Sequence, residues 1–196
     1  MILVPYHEAK QYIKEADVLL FRGKGLVSWL IKRYGGGMHS HAAMAHWDGD
    51  HLECLEFREF KGGRSVSLKS QVATHPDNID VFRVASLIEH DDEKHMLTED
   101  TSDRITDIMI KNTGLPYGWK NFWKLGKHYV PFLRLAKQNM KDDDPTDVFV
   151  CSTAVAYAFR KAYIDPVPYL ADTAVMPADL ARSALFKYQF TISKDW

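Results

Sequence analysis

The sequence predicts an α+β domain in which a small antiparallel sheet, or half-barrel, packs on helices. Roughly four to six short strand-like runs are separated by turn residues, and helical patterns lie before and after the clearest pair of strands. The 196 residues are enough for one hydrophobic core, and the chain contains no internal repeat and no linker. We therefore expect a single domain that spans residues 1–196.

The overall composition argues against several functional classes. The formal net charge is −1, and no run of Lys and Arg exceeds a dipeptide. Bulk charge therefore gives no reason to expect nucleic acid or an anionic membrane as a partner. Two cysteines do not make a disulfide framework, and no window approaches the roughly 18 apolar residues of a membrane span. The chain start becomes polar too soon for a signal peptide, so we expect a cytoplasmic protein without stable membrane insertion.

The first part of the chain is predicted to alternate helix and strand. Residues 6–16 have an amphipathic helical pattern, and residues 17–21 form a short apolar strand. Residues 26–34 carry apolar side chains at helical spacing, and the three glycines at 35–37 end that helix. The glycine-containing segments lack the spacing of a phosphate-binding loop, so they predict turns and no nucleotide site.

The next segment, residues 41–57, is predicted to form a β-hairpin around an Asp48-Gly49 turn. If these two residues form the loop, His41 lies directly opposite Glu56, with both side chains on one face. A register one pair longer places Arg58 opposite His41 and keeps the same faces. The shared face is therefore better determined than the exact pairing.

The remaining chain is predicted to add elements on both sides of an aromatic segment. Strands are expected at residues 64–68, 79–84 and 188–192, and helices at 105–112 (with Asp100 or Ser102 as N-cap), 119–140 and 178–186. Most aromatic rings of the segment 119–140 are expected to pack its helix, with one or two lining a cleft.

The segment 148–160 contains the most informative residue. A short apolar run ends at Cys151, and a helical pattern follows, with one apolar stripe at i, i+3, i+4 and i+7 from Val155. Cys151 therefore lies at or near a helix N-terminus, where unpaired N–H groups and the helix dipole can hold a thiol partly as thiolate. The alternative is a buried structural cysteine in an Ala-rich helix.

These residues permit nucleophilic catalysis, which needs a thiolate, a base within reach and a group that orients the base. Cys151 supplies the sulfur and His41 the base. Glu56 can accept the His41 N–H, fix its tautomer and stabilise the imidazolium. A histidine–carboxylate pair across two strands is also a common structural feature, so the pattern alone leaves both interpretations open.

Metal binding is the rival chemistry, because six potential ligands lie close together in the sequence. They are His39, His41, His46, His51, Cys54 and Glu56. Strand alternation places His46 and His51 on the face opposite the other strand residues, and no C-x-x-C or H-E-x-x-H motif occurs. We therefore expect neither a metal nor an organic cofactor. Cys54 lies mid-strand without a helix dipole, which predicts a core residue.

Five short motifs in this order resemble the circularly permuted NlpC/P60 family. This is the YiiX/YebB-like group of papain-like cysteine hydrolases, related to the lecithin:retinol acyltransferase-like enzymes. The motifs are Asp-Val-Leu-Leu-Phe-Arg-Gly at 17–23, Ser-His-Ala-Ala-Met at 40–44, Leu-Glu at 55–56, Tyr-Gly-Trp at 117–119 and Val-Cys-Ser-Thr-Ala-Val at 150–155. Many members carry Val-Gly after the histidine where this chain has Ala-Ala.

The resemblance implies a papain-like fold with Cys151 as nucleophile, His41 as base and Glu56 as the third residue. Some members of the wider superfamily use His or Asn in the third position. The motifs also contain three candidate substrate-binding residues, namely Tyr117, Trp119 and Ser40.

The expected function is that of a cysteine peptidase- or amidase-like hydrolase. It would cleave an amide, ester or thioester bond in a cell-wall-type peptide or in an N-acyl or lipid-derived substrate. The alternative is a non-catalytic module that keeps the fold and binds a lipid or a peptide.

Overall fold

A computed structural model describes residues 1–85, 88–90, 93–95, 97–118 and 150–195. The predicted helix at 119–140, with Trp119, lies outside these residues. The described helices are α1 (Tyr6–Ala9), α2 (Leu26–Gly35), α3 (Leu68–Thr74), α4 (Glu99–Lys111), α5 (Cys151–Lys161) and α6 (Pro177–Arg182). The described strands are β1 (Leu3–Pro5), β2 (Val18–Phe21), β3 (His41–Asp48), β4 (His51–Arg58), β5 (Gly62–Ser67), β6 (Ile79–Val84), β7 (Ile88–His90), β8 (Glu93–His95) and β9 (Phe186–Ser193).

The fold is α+β, and its main sheet is larger than the sequence predicted. Seven strands follow the order β1-β9-β6-β2-β3-β4-β5, while β7 and β8 form a separate hairpin. The edge strand β1 runs parallel to β9, and the other neighbours in the main sheet are antiparallel. The main sheet is therefore larger than the small antiparallel sheet that the sequence predicted, and its edge strand β1 is parallel to its neighbour. The reason is that β1 and β9 pair across almost the whole sequence, which no local pattern reveals.

Two hydrophobic clusters lie on opposite faces of the main sheet, because successive strand residues alternate between them. One face of β2–β4, including Leu20, Met44 and Leu55, packs against α4 and α5. The other face, including Ala43, Ala45 and Cys54, is covered by residues of α1 and α3. The small side chains that the sequence places beside His41 are thus covered by helices.

The β3–β4 hairpin has the longer of the two registers considered from the sequence. Ala43 pairs with Glu56, and the two loop residues are Gly49-Asp50 instead of Asp48-Gly49. The prediction that His41 lies directly opposite Glu56 is therefore wrong. Gly49 takes the left-handed conformation (φ 56°) as the first loop residue, which lets the preceding residue remain in the strand. His41 and Glu56 still share one face, because the register shifts by two residues and side chains alternate with a period of two.

Several predicted boundaries also change. Helix α1 ends at Ala9, well short of residue 16. Helix α4 begins after Thr98, whose hydroxyl accepts from the Thr101 N–H (3.2 Å), so the N-cap is neither Asp100 nor Ser102. The last helix is confined to Pro177–Arg182.

No helix in the described ranges is long and apolar enough to cross a membrane.

Candidate active site

Cys151 is the first residue of α5, at the helix N-terminus that the sequence predicts. The Val150 N–H donates to Thr153 Oγ1 (3.0 Å), and the Ser152 hydroxyl donates to the Val175 carbonyl (2.7 Å). The apolar stripe that begins at Val155 is buried against the sheet. The helix tip that carries the sulfur is thus fixed by its own cap, by a neighbouring loop and by the core. The first N–H groups of such a helix have no intrahelical acceptor and point towards the tip.

His41 and Glu56 form a close pair despite the shifted register. His41 is the first residue of β3, and its Nε2 donates to Glu56 Oε2 at 2.7 Å. The two residues are diagonal neighbours across the strands, a separation that long side chains can span. The edge of the Phe21 ring packs against the imidazole, with ring centroids 5.1 Å apart. The ring is therefore held by a carboxylate and by an aromatic neighbour.

Two arginines surround Glu56, and the sequence analysis did not assign either of them to the site. Arg64, paired with Glu56 across β4–β5, donates from Nε to Oε1 at 2.9 Å and makes a second contact to the same oxygen. Arg58 approaches Oε2 at 3.5 Å. The Glu56 side chain is fully buried, and burial alone would raise its pKa. The hydrogen bond and charge of His41, together with the two arginines, lower the pKa to about 2. Glu56 is thus a permanently ionised acceptor.

The Cys151 side chain lies beside the His41 ring. Burial by itself lowers the pKa of His41, but the charge and hydrogen bond of Cys151, followed by those of Glu56, raise it to about 9. Since Nε2 is bound to Glu56, Nδ1 is the ring nitrogen left for the sulfur. The three residues that the sequence selected as nucleophile, base and orienting group therefore meet in one place.

Tyr117 is buried, and it lies within electrostatic range of Cys151. Burial raises the pKa of the Tyr117 hydroxyl, and the charges of Cys151 and Glu59 raise it further. The chain reaches this position through Leu115, whose carbonyl accepts from the Gly63 N–H (2.9 Å) at the start of β5. The assignment of Tyr117 to the site and its contact with substrate both stay predictions.

Ser40 is buried just before His41. Its hydroxyl accepts from the Gly23 N–H (3.0 Å) and donates to the Phe21 carbonyl (3.5 Å). These bonds fix the segment that leads into β3, so the environment favours a positioning role. A direct contact of Ser40 with substrate stays a prediction, as does that of Trp119, which lies outside the described residues.

Cys54 is a core residue, as the sequence predicts. It is fully buried in the middle of β4. Burial raises the pKa of this thiol well above its ordinary value, and the nearby Glu56 charge adds to the effect. Both cysteines are buried, but Cys54 lies within a strand of the sheet and Cys151 lies at the tip of α5.

The histidines that crowd the sequence between 39 and 46 separate into individual carboxylate pairs. His39 contacts Asp80 (2.8 Å), His41 contacts Glu56, and His46 contacts Glu15 (2.7 Å); His51 is exposed. Across the described ranges, no group of three or more His, Cys, Asp or Glu side chains is placed to hold a metal ion. The histidines that lie close together in the sequence therefore do not share one metal site within the described residues.

Comparisons with known proteins add a relationship at the level of the fold. No protein-family model and no curated protein matches the chain. Among solved structures, the fold is similar to the crystal structure of the metalloprotein YiiX from Escherichia coli O157:H7 (DUF1105), with a TM-score of 0.62 and 14% sequence identity. The match covers 93% of this chain and 98% of that chain. At this identity the likeness shows a shared fold and nothing about activity.

Proposed function

We propose that this protein is a thiol-dependent hydrolase in which Cys151 is the nucleophile, His41 the general base and Glu56 the orienting residue. The observation that carries the proposal is the His41 imidazole between a carboxylate and a thiol, with its pKa raised to about 9. A nucleophile, a base and a third group that orients the base are the parts that thiol catalysis requires.

In the proposed reaction, His41 takes the proton of the Cys151 thiol, and the sulfur attacks the carbonyl carbon of an amide, ester or thioester. The new C–S bond forms as the carbonyl π electrons move to oxygen. When the tetrahedral adduct collapses, His41 donates its proton to the departing nitrogen, oxygen or sulfur. Water then attacks the acyl-enzyme, His41 accepts a proton from it, and the carboxylic acid product leaves as the thiol is restored.

The oxyanion of the tetrahedral adduct needs preorganised donors. The backbone N–H of Cys151, at the tip of α5, is the first candidate because it lies at a helix N-terminus. Loss of one such donor typically costs about 10²–10³ in turnover.

The metal in the name of the YiiX relative has no role in this proposal. The candidate ligands around the sulfur include Glu56, whose two oxygens are already bound by His41 and by arginine side chains. A metal ion bound to Glu56 would lie close to the positive charges of Arg58 and Arg64, which would repel it. The proposed mechanism therefore uses only side chains of this protein and no metal ion.

The proposed substrate classes are cell-wall-type peptides and N-acyl or lipid-derived amides and esters, and the proposed location is the cytoplasm. An activity screen against peptidoglycan fragments, acyl-amides and acyl-thioesters separates them, with Cys151→Ser as the blank. Turnover that persists in Cys151→Ser would refute the proposed nucleophile.

Thiol alkylation tests the site without knowledge of the substrate. We expect iodoacetamide to label Cys151 well below pH 8.5, the ordinary thiol pKa, and His41→Ala to remove that advantage. Cys54 is the internal control and should react only after unfolding, because it is fully buried. If native Cys151 resists labelling, or if His41→Ala labels like the wild type, the fold is better explained as a lipid- or peptide-binding module.

A further inference from the structure

Helix α2 buries Ile31 but leaves four of its large apolar side chains exposed. Leu26, Val27, Trp29 and Tyr34, here called the α2 apolar face, are 73%, 43%, 56% and 45% exposed. A surface helix ordinarily turns its apolar stripe to the core and its polar side to water. On α2 this pattern is followed only in part, because Ile31 is buried but Lys32 is also half-buried and donates from Nζ to the Gly23 carbonyl (2.9 Å).

The first turn of α2 lies near the segment that leads into the proposed active site. The chain enters α2 through Gly23, whose N–H donates to Ser40 Oγ (3.0 Å), and Ser40 directly precedes His41. The space above Gly23 is filled, since a Cβ there would lie 2.6 Å from Ser28 Oγ and 2.7 Å from Ser40 Oγ. The first turn of α2 is thus packed onto the segment that delivers the catalytic imidazole.

The segment that contains α2, residues 18–47, carries charged side chains of one sign. No Asp or Glu occurs between positions 18 and 47, whereas Lys24 and Arg33 are both exposed. The nearest acidic side chain on the adjoining α6, Asp179, is paired with Arg182 at 2.7 Å. The net charge of −1 for the whole chain conceals this local basic and apolar surface, which is why bulk composition gave no indication of a membrane partner.

Apolar side chains with Trp and Tyr, flanked by exposed cations, match the interface of an anionic lipid bilayer. Trp and Tyr rings favour that depth because one end is apolar and the other polar. A helix of ten residues is about 15 Å long, which suits docking in the interface plane and is too short to span it. A second copy of the chain would bring the same cations face to face, so charge disfavours self-association.

We propose that the α2 apolar face docks on an anionic lipid surface and presents the active site to an acyl-bearing substrate held there. The substrate part rests on the proposed function and selects N-acyl or lipid-derived substrates over soluble cell-wall peptides. The docking part is independent of catalysis. It requires only that the helix enters the headgroup region with its exposed side.

Vesicle co-sedimentation of the 196-residue Cys151→Ser protein tests docking without turnover. We expect binding to phosphatidylcholine vesicles that contain phosphatidylglycerol, and binding at least roughly tenfold weaker to phosphatidylcholine alone. The double variant Leu26→Glu/Trp29→Glu should weaken binding by more than roughly tenfold. Tyr169→Glu is the matched control, since Tyr169 is 78% exposed outside α2, and it should bind like the parent.

Three outcomes would overturn the docking proposal: no binding by the parent, binding unchanged by the double variant, or dimers that the double variant dissolves. Thermal unfolding distinguishes a fourth. In that outcome, the parent does not bind vesicles and the double variant unfolds at a much lower temperature than the parent. This result would mean that another part of the chain covers α2. Turnover of a soluble short-chain thioester, measured separately, decides the proposed function, so the two can fail independently.

Discussion

Two histidine–carboxylate pairs, His39–Asp80 and His41–Glu56, begin two residues apart in the chain and have nearly the same geometry. The ring-to-carboxylate distances are 2.8 Å and 2.7 Å, and both carboxylates are buried. Their surroundings differ. Around Asp80 the described partners are the Arg22 guanidinium (3.2 Å) and the Thr191 hydroxyl (2.5 Å), whereas the His41 ring meets a thiol at a helix tip.

The comparison shows that a histidine–carboxylate pair is not by itself a catalytic device. The same pair stabilises the sheet when its neighbours are other side chains of the core. It becomes a candidate base when a nucleophile lies at the free ring nitrogen. The four predictions below test this distinction, from the largest expected effect to the smallest.

The largest effect is expected from Glu56→Gln. A neutral amide keeps the shape but no longer stabilises the imidazolium, so turnover should fall by roughly 10⁴-fold. Steady-state kinetics on an acyl substrate that the wild type cleaves would measure it, with circular dichroism to verify folding. A loss smaller than roughly tenfold would remove Glu56 from the proposed mechanism.

The counterpart variant, Asp80→Asn, should affect stability and spare turnover. It removes the buried charge that faces Arg22 and His39, and the free energy of unfolding should fall by about 3 kcal/mol. Urea denaturation measures this change. Turnover of the folded protein should stay near the wild-type value, and a collapse comparable with that of Glu56→Gln would mean that the two pairs share one function.

The third prediction concerns pH. The folded-state pKa of His41, about 9, lies above the unfolded value near 6.5, so its contribution to stability is complete below about pH 6.5 and is lost as pH rises through 9. The ratio kcat/KM should fall about tenfold per pH unit above 9, because the leaving group loses its proton donor. In Cys151→Ser, His41 should titrate at lower pH by NMR. An unchanged titration would show that the sulfur does not act on the ring.

The smallest effects separate two single hydroxyl groups. Thr191→Val removes the bond to Asp80 and should cost about 1 kcal/mol of unfolding free energy without a change in turnover. Ser152→Ala removes the bond to the Val175 carbonyl and should cost a similar amount, but it should also slow turnover because it loosens the helix tip beside Cys151. Equal kinetic effects in the two variants would contradict this difference.

The sequence contained enough information to select the three side chains of the candidate site. Cys151 could be placed because helical spacing starts directly after it, and His41 and Glu56 because strand alternation puts them on one face. The error of one pair in the hairpin left that face unchanged. A mistake of a single residue would have moved Glu56 to the opposite face and removed it from the site.

Other features could not be predicted because they depend on contacts between distant parts of the chain. The strand β1 has three residues and exists through its pairing with β9, about 190 positions away. Arg64 joins the site through the β4–β5 register, which its local sequence does not determine. Boundaries such as the early end of α1 reflect the same limitation, since propensity is easily overridden by tertiary contacts.

The two glycines at the start of β5 have a consequence for how this site can vary. A Cβ on Gly62 would lie 2.3 Å from the Leu115 carbonyl oxygen, and one on Gly63 would lie 2.8 Å from the carbonyl oxygen of Asn112. Arg64 follows these glycines on one side, and the chain they touch leads to Tyr117 on the other. A side chain at either glycine would therefore displace both the strand that carries Arg64 and the segment that leads to Tyr117.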